Sequence, residues 1–223
     1  SETYLPNDGQ KLTNPMHRYE QVETRLFSYD AKGNLLSDGI NTYTYDDENR
    51  QTGTTGPGGT AEYVYDARGW RVAKIIDGVA TYYVYNARYQ VIEERDSGDR
   101  LFARYTHGDS IDEPLSMERD GETYTYHLEA QGNVTEMTSD LGALVECYDY
   151  YIYGIPSFFD DAGLQLTASD IGNPYVFTGR RYDRQSGDYY FRARTYTPDV
   201  GRFLQMDRLG YEDGLNLYAI YFV

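Results

Sequence analysis

Ser110, in Gly108-Asp109-Ser110, is a residue that could act as a nucleophile. Acyl transfer by serine needs a histidine base beside the hydroxyl and an acid that orients the ring. His127 is available as the base, but the block also reads as a loop between two strands, and we take it as a loop. His17, His107 and His127 lack the spacing of metal ligands. Asp46-Asp47-Glu48-Asn49 gathers carboxylates without the spacing or the glycine of a calcium loop, so it reads as an acidic turn. Thr54-Thr55-Gly56-Pro57-Gly58-Gly59 has no Lys-Ser/Thr after it and reads as a loop, not a phosphate cradle. The single cysteine, Cys147, excludes an intrachain disulfide framework and a cysteine zinc site. Its neighbours Val145, Tyr148 and Tyr150 make it a buried small side chain. No cofactor and no metal is expected.

The charge narrows the partners. The 223 residues hold 20 Lys and Arg against 36 Asp and Glu, a net charge of −16. Affinity for nucleic acid rests on cations that neutralise phosphates, so no nucleic-acid partner is expected. The 16% aromatic content argues against a disordered acidic polypeptide. No apolar run approaches the ~20 residues of a membrane span. Ser1-Glu2-Thr3-Tyr4 has neither the basic nor the apolar region of a secretory signal. That beginning and the apolar end, Leu217 to Val223, both read as truncation points within a longer protein.

The elements that position these groups come from an internal repeat. Tyrosine is the anomaly of the composition, at 26 residues. Phe27-Ser28-Tyr29-Asp30-Ala31-Lys32-Gly33-Asn34 recurs as Tyr43-Thr44-Tyr45-Asp46, Tyr63-Val64-Tyr65-Asp66-Ala67-Arg68-Gly69 and Tyr83-Val84-Tyr85-Asn86-Ala87-Arg88. A weak copy starts at Tyr105, and another reads Tyr124-Thr125-Tyr126-His127. The second tyrosines then fall at 29, 45, 65, 85 and 126. Tyr-x-Tyr places both rings on one face of a strand. The Asp side chain bonds backbone N–H groups two residues on, and Gly or Asn accepts positive φ, so the chain reverses. Arg71-Val72-Ala73-Lys74-Ile75-Ile76 reads as the next strand, and Asp77-Gly78 as a hairpin turn. Each period is strand, turn, strand, turn, with little helix. Such units are marginal alone and stable when stacked. The fold class is therefore all-β, an extended, coiling antiparallel sheet of ~20-residue repeats.

These copies resemble the tyrosine–aspartate (YD) repeats of the RHS family, on Tyr29-Asp30, Tyr45-Asp46, Tyr65-Asp66 and Tyr85. Residues 173–218 resemble the RHS repeat-associated core domain, through Gly179-Arg180-Arg181-Tyr182-Asp183, Arg192-Ala193-Arg194, Pro198 and Gly201-Arg202-Phe203. The resemblance implies two parts: residues 1–172 as repeats of a shell wall and residues 173–223 as the shell-closing core segment.

In that family, which includes polymorphic toxins and Tc-toxin C components, the repeats spiral into a hollow shell around a C-terminal toxin. The implied partners are the rest of the shell, the enclosed toxin and a secretion-system or cell-surface partner. The implied location is outside the producing cell or on its surface. The family core continues to an Asp-Pro-x-Gly cleavage motif that this sequence lacks, so no catalysis, and no enzyme, is expected in this chain. Asp207 matches a family Asp linked to aspartyl-type self-cleavage, which needs two carboxylates. Alone it is half a site, and a turn Asp before Arg208-Leu209-Gly210 is the plainer reading. A second reading of the chain is a binding module that presents tyrosine-rich faces to a glycan or cell-surface partner.

Overall fold

Tyr-x-Tyr strands and the strands between them pair in strict sequence order. The structure, a computed structural model, describes residues 11–13, 17–212 and 214–220. A 15-stranded antiparallel sheet runs from Ser28–Tyr29 to Gln165–Leu166, each strand beside its neighbours in sequence. Its two end strands do not pair with each other, so the sheet is open, not a closed barrel. A three-stranded sheet (Lys11–Thr13, Tyr19–Val22, Arg25–Leu26) precedes it. A four-stranded sheet (Arg181–Asp183, Asp188–Phe191, Arg194–Thr197, Arg202–Phe203) follows. Among the described residues the helices are two three-residue 3-10 turns, Phe177–Gly179 and Gly210–Glu212. The all-β expectation holds. Of the two ends read as truncation points, Ser1 to Tyr4 and Tyr221 to Val223 lie outside the described residues.

One turn recurs with the same bonds. Asp46 Oδ1 accepts from Glu48 N and Arg50 N, and Asp66 Oδ1 from Arg68 N and Trp70 N, at 2.9–3.0 Å. Asp30 Oδ1 accepts from Asn34 N at 2.8 Å. Positive φ at Gly33, Asn49 and Gly69 completes these turns. Asp77 and Gly78 also have positive φ and join Arg71–Ile76 to Val79–Tyr85 as a tight hairpin. Thr54 to Gly56 belong to the strand Gln51–Gly56, so the glycine-rich loop shrinks to a turn at Pro57 and Gly58.

The two rings of a repeat do different work. The first is buried: Phe27, Tyr43, Tyr63, Tyr83, Tyr105, Tyr126 and Tyr148 are all 9% exposed or less. The second reaches the carbonyl that starts the preceding strand. Tyr45 Oη donates to Leu35 O, Tyr65 to Gln51 O, Tyr85 to Arg71 O and Tyr150 to Val134 O, at 2.6–2.8 Å. This pattern corrects the register of the sequence alignment. Tyr126 is a first ring, not a second, because the strand irregularity that precedes Tyr45, Tyr65 and Tyr85 here precedes Leu128. His107 and Leu128 fill the second position, and Tyr148 and Tyr150 form a further copy. Cys147 is half-buried rather than buried: alternation along Leu144–Tyr150 turns Glu146 inward and Cys147 away from the core.

The C-terminal hairpins cover the first rings. Tyr175, Val176, Phe177, Tyr189, Tyr196 and Phe203 pack with Tyr83, Tyr105, Tyr126 and Tyr148 in one core. Charged groups are buried in the same seam. Asp183 meets Arg71 Nη1 at 2.5 Å and Lys74 Nζ at 2.8 Å. With the opposite polarity, Arg181 from the hairpins joins Glu94 and Arg119 of the long sheet. Burial alone would raise the Asp183 pKa, but Arg71 and Lys74 outweigh it and hold it well below the usual carboxylate range. Burial likewise opposes ionisation of Glu94, and Arg181 and Arg119 bring its pKa below the ordinary value. Asp188 has no such cation. It is fully buried, neither carboxyl oxygen has a hydrogen bond of good geometry, and burial pushes its pKa up to about 8 against the pull of Ser186 and Thr197.

These two carboxyls give opposite pH dependences. Asp183 stabilises the fold above its ordinary pKa of 3.8, and that contribution is lost as pH falls through its depressed folded value. The contribution of protonated Asp188 is full below 3.8 and is lost as pH rises through about 8. Asp188→Asn should therefore raise the melting temperature at pH 8, with the gain gone by pH 4. Asp183→Asn strands two buried cations and should cost about 3–5 kcal/mol at pH 7 in urea unfolding. A loss no larger than that typical of a solvent-exposed ion pair, at most about 1 kcal/mol, would show that the seam is not needed for stability.

Candidate functional site

The motif residues of the C-terminal part build one junction. Gly179 has φ 64, and a side chain there would run into the carbonyl of Asp112. Tyr182 packs its ring against Tyr189 and Phe158, with centroids 5.1 and 6.2 Å away. Pro198 to Gly201 turn the chain between the last two strands, with Gly201 N donating to Thr197 O at 3.0 Å. Gly201 has φ 68, and an added Cβ would lie 2.8 Å from the Tyr153 ring. Arg202 is buried between the rings of Tyr19 and Tyr218, 4.1 and 4.7 Å from their centroids. Phe203 stands edge-on to Phe191 and Tyr196. These residues lock hairpins to one another and to the sheet.

Asp207 lies at the rim of this junction. Its Oδ2 is 2.8 Å from Arg194 Nη2, and its Oδ1 accepts from Leu209 N at 2.9 Å. Its carbonyl accepts from Gly210 N at 3.2 Å, which closes the turn. Arg194 also lies 3.7 Å over the Phe203 ring. The carboxylate contacts are thus donors from a guanidinium and a backbone amide, the arrangement of a turn clamped by an ion pair. General acid–base work by a pair of carboxylates would need a second carboxylate at this position.

Other candidate chemistry does not assemble. His127 Nε2 pairs with Thr138 Oγ1 at 3.0 Å on the outer face. Ser110 sits in the Gly108–Glu113 loop, where its backbone N–H donates to Glu113 Oε2 at 3.2 Å. Among the described residues no three His, Cys, Asp or Glu side chains converge as a metal site. Sequence reasoning missed the residues on which the junction depends: Arg71, Lys74, Glu94, Arg119 and Asp188. Local sequence marks Arg71 and Lys74 only as parts of a strand. The available signal was charge at inward-facing strand positions, since a buried cation demands a partner.

No family model matches the chain. It is 35% identical over 210 residues to the tRNA3(Ser)-specific nuclease WapA of Bacillus spizizenii, covering 92% of this chain and 9% of that protein. It is 26% identical over 226 residues to the double-stranded DNA deaminase toxin A of Burkholderia cenocepacia, covering 86% of this chain and 16% of that protein. The chain therefore spans about a tenth of the WapA relatives it matches. In fold it is similar to the Photorhabdus luminescens Tc holotoxin pore, with a TM-score of 0.65 at 18% identity over 87% of this chain and 10% of that one. The structural likeness is one of fold, and it accords with the all-β reading. The sequence relatives overturn one expectation. The missing cleavage motif points to no enzyme, yet the relatives are named as nucleases and a deaminase. A missing cleavage motif speaks only of self-cleavage, and it leaves the activity of a toxin untouched.

Proposed function

We propose that this chain is a wall-and-core segment of an RHS/YD-repeat toxin, in which residues 1–172 build the wall and residues 173–223 close it. The complete protein, on this reading, is an enzymatic toxin that the shell encloses or presents, secreted or delivered to other cells. The burial of the first ring in every repeat carries the proposal. A module that used its tyrosine array to bind a glycan or a cell surface would display those rings. Here they are spent on packing the C-terminal hairpins against the sheet. The tRNA and DNA in the relatives' names belong to those whole proteins, and the target of this toxin is not carried over from them.

Limited proteolysis of the complete gene product tests enclosure. A downstream toxin segment should resist protease that digests the same segment expressed alone. Asp183→Asn, which loosens the seam, should speed its digestion. Equal digestion rates for the enclosed and free segments would refute the shell reading.

A further inference from the structure

The turn after Tyr85 breaks the rule of its neighbours. Where other copies place Gly33, Asn49, Gly69 and Gly132, this one places Tyr89, at φ 64. Its ring stacks on Trp70 with centroids 4.6 Å apart, and its hydroxyl is 2.8 Å from that of Tyr190. Two other bulky residues take the left-handed region nearby, Thr178 at φ 50 and Arg192 at φ 61. Apart from His17 and Glu23, the remaining described non-glycine residues of positive φ are Asn or Asp, which tolerate it. Tyr89, Arg192 and Gly179, the neighbour of Thr178, line one small cavity together with His107, Asp112 and Arg180. Strain of this kind costs of order 1–3 kcal/mol per residue and collects at ligand clamps.

The cavity has unspent polar capacity. Arg180 and Arg192 both pair with the single carboxylate of Asp112, which leaves one positive charge over. Burial brings the Arg180 pKa down to about 10 despite Asp112, as for a cation short of counter-charge. The third guanidinium there, Arg181, is taken by Glu94. Arg180 Nε is shielded from water and has no acceptor. His107 Nε2 is 2.7 Å from Val91 O. A carbonyl only accepts, so Nε2 carries the proton and Nδ1, buried without a partner, is an acceptor. Burial lowers the His107 pKa, which keeps the ring neutral near pH 7. The cavity volume is about 30 Å³, where a single water needs roughly 10–15 Å³. That suits a compact headgroup and excludes a larger rigid ligand.

We propose that this cavity binds a small oxyanion that retains a proton, of the hydrogen-phosphate class, free or as a phosphomonoester. The excess guanidinium charge meets the anionic oxygens, and the retained hydroxyl donates to His107 Nδ1. A carboxylate or a sulfate supplies only acceptors. The cavity keeps this chemistry whatever the complete protein encloses.

Titration calorimetry of the chain at pH 6.5 and constant ionic strength, with inorganic phosphate, phosphoserine and sulfate, tests the site. Saturable binding of one phosphate per chain is expected, at least tenfold tighter than sulfate. Phosphoserine that matches phosphate marks an ester site, and phosphate alone marks a free-ion site. Arg192→Gln should weaken phosphate at least tenfold, and Arg180→Gln serves if that variant does not fold. Absence of saturable heat from both phosphates, sulfate binding as tightly as phosphate, or unchanged binding in a folded arginine variant would overturn the proposal.

Discussion

In five copies a side-chain donor at the edge of the repeat satisfies the backbone of the one before it. Tyr45, Tyr65, Tyr85 and Tyr150 each donate to the carbonyl that opens the preceding strand, and His107 makes the same contact through Nε2. A buried carbonyl without a donor costs about 1–3 kcal/mol. A repeat is therefore incomplete until its successor folds beside it, and the successor is incomplete in turn. This nearest-neighbour dependence explains why the sheet follows sequence order without a crossover. It also frees the first ring of each copy from any duty at the edge, so that ring faces the C-terminal hairpins.

The seam adds a second constraint of a different kind. Hydrophobic contacts between tyrosines would tolerate sliding of the hairpins along a repetitive surface, because one copy looks much like the next. Charge removes that freedom. The long sheet offers cations at Arg71 and Lys74 and an anion at Glu94, and the hairpins offer Asp183 and Arg181 in the matching order. A shift by one repeat would bury unpaired charge, at a cost of several kcal/mol per ion. Thr195 Oγ1 to Gln51 Oε1, at 2.6 Å, pins the same placement further along.

The sequence disclosed what is local. Tyr-Asp with a following glycine or asparagine specifies a turn, and Asp77-Gly78 specifies a hairpin, because both rules act within five residues. It disclosed less where two local rules compete. Tyr124-Thr125-Tyr126 fits the Tyr-x-Tyr template better than Tyr126-His127-Leu128 does, and only the strand irregularity before Leu128 reveals the register. The copy at Tyr148 escaped notice because its turn runs Tyr151 to Gly154 with no Asp at its head. The seam was illegible for a plainer reason. Asp183 lies 112 residues from Arg71, and no periodicity links them. Asp207 was legible as a turn residue by its spacing to Gly210, and its pairing with Arg194 is likewise a matter of tertiary placement.

Strict sequence order in the long sheet has a meaning for synthesis. After the first, each strand finds its first partner in the strand made just before it, so sheet formation can keep pace with a chain emerging from the ribosome, at low contact order. The C-terminal hairpins are the exception. Tyr218 Oη bonds Gly33 O, Thr195 bonds Gln51, and Asp183 bonds Arg71, so one late segment touches early, middle and later copies at once. Those contacts can all form only when no earlier copy has slipped by a repeat. Seating of the hairpins therefore requires that the copies of the sheet beneath them be in register.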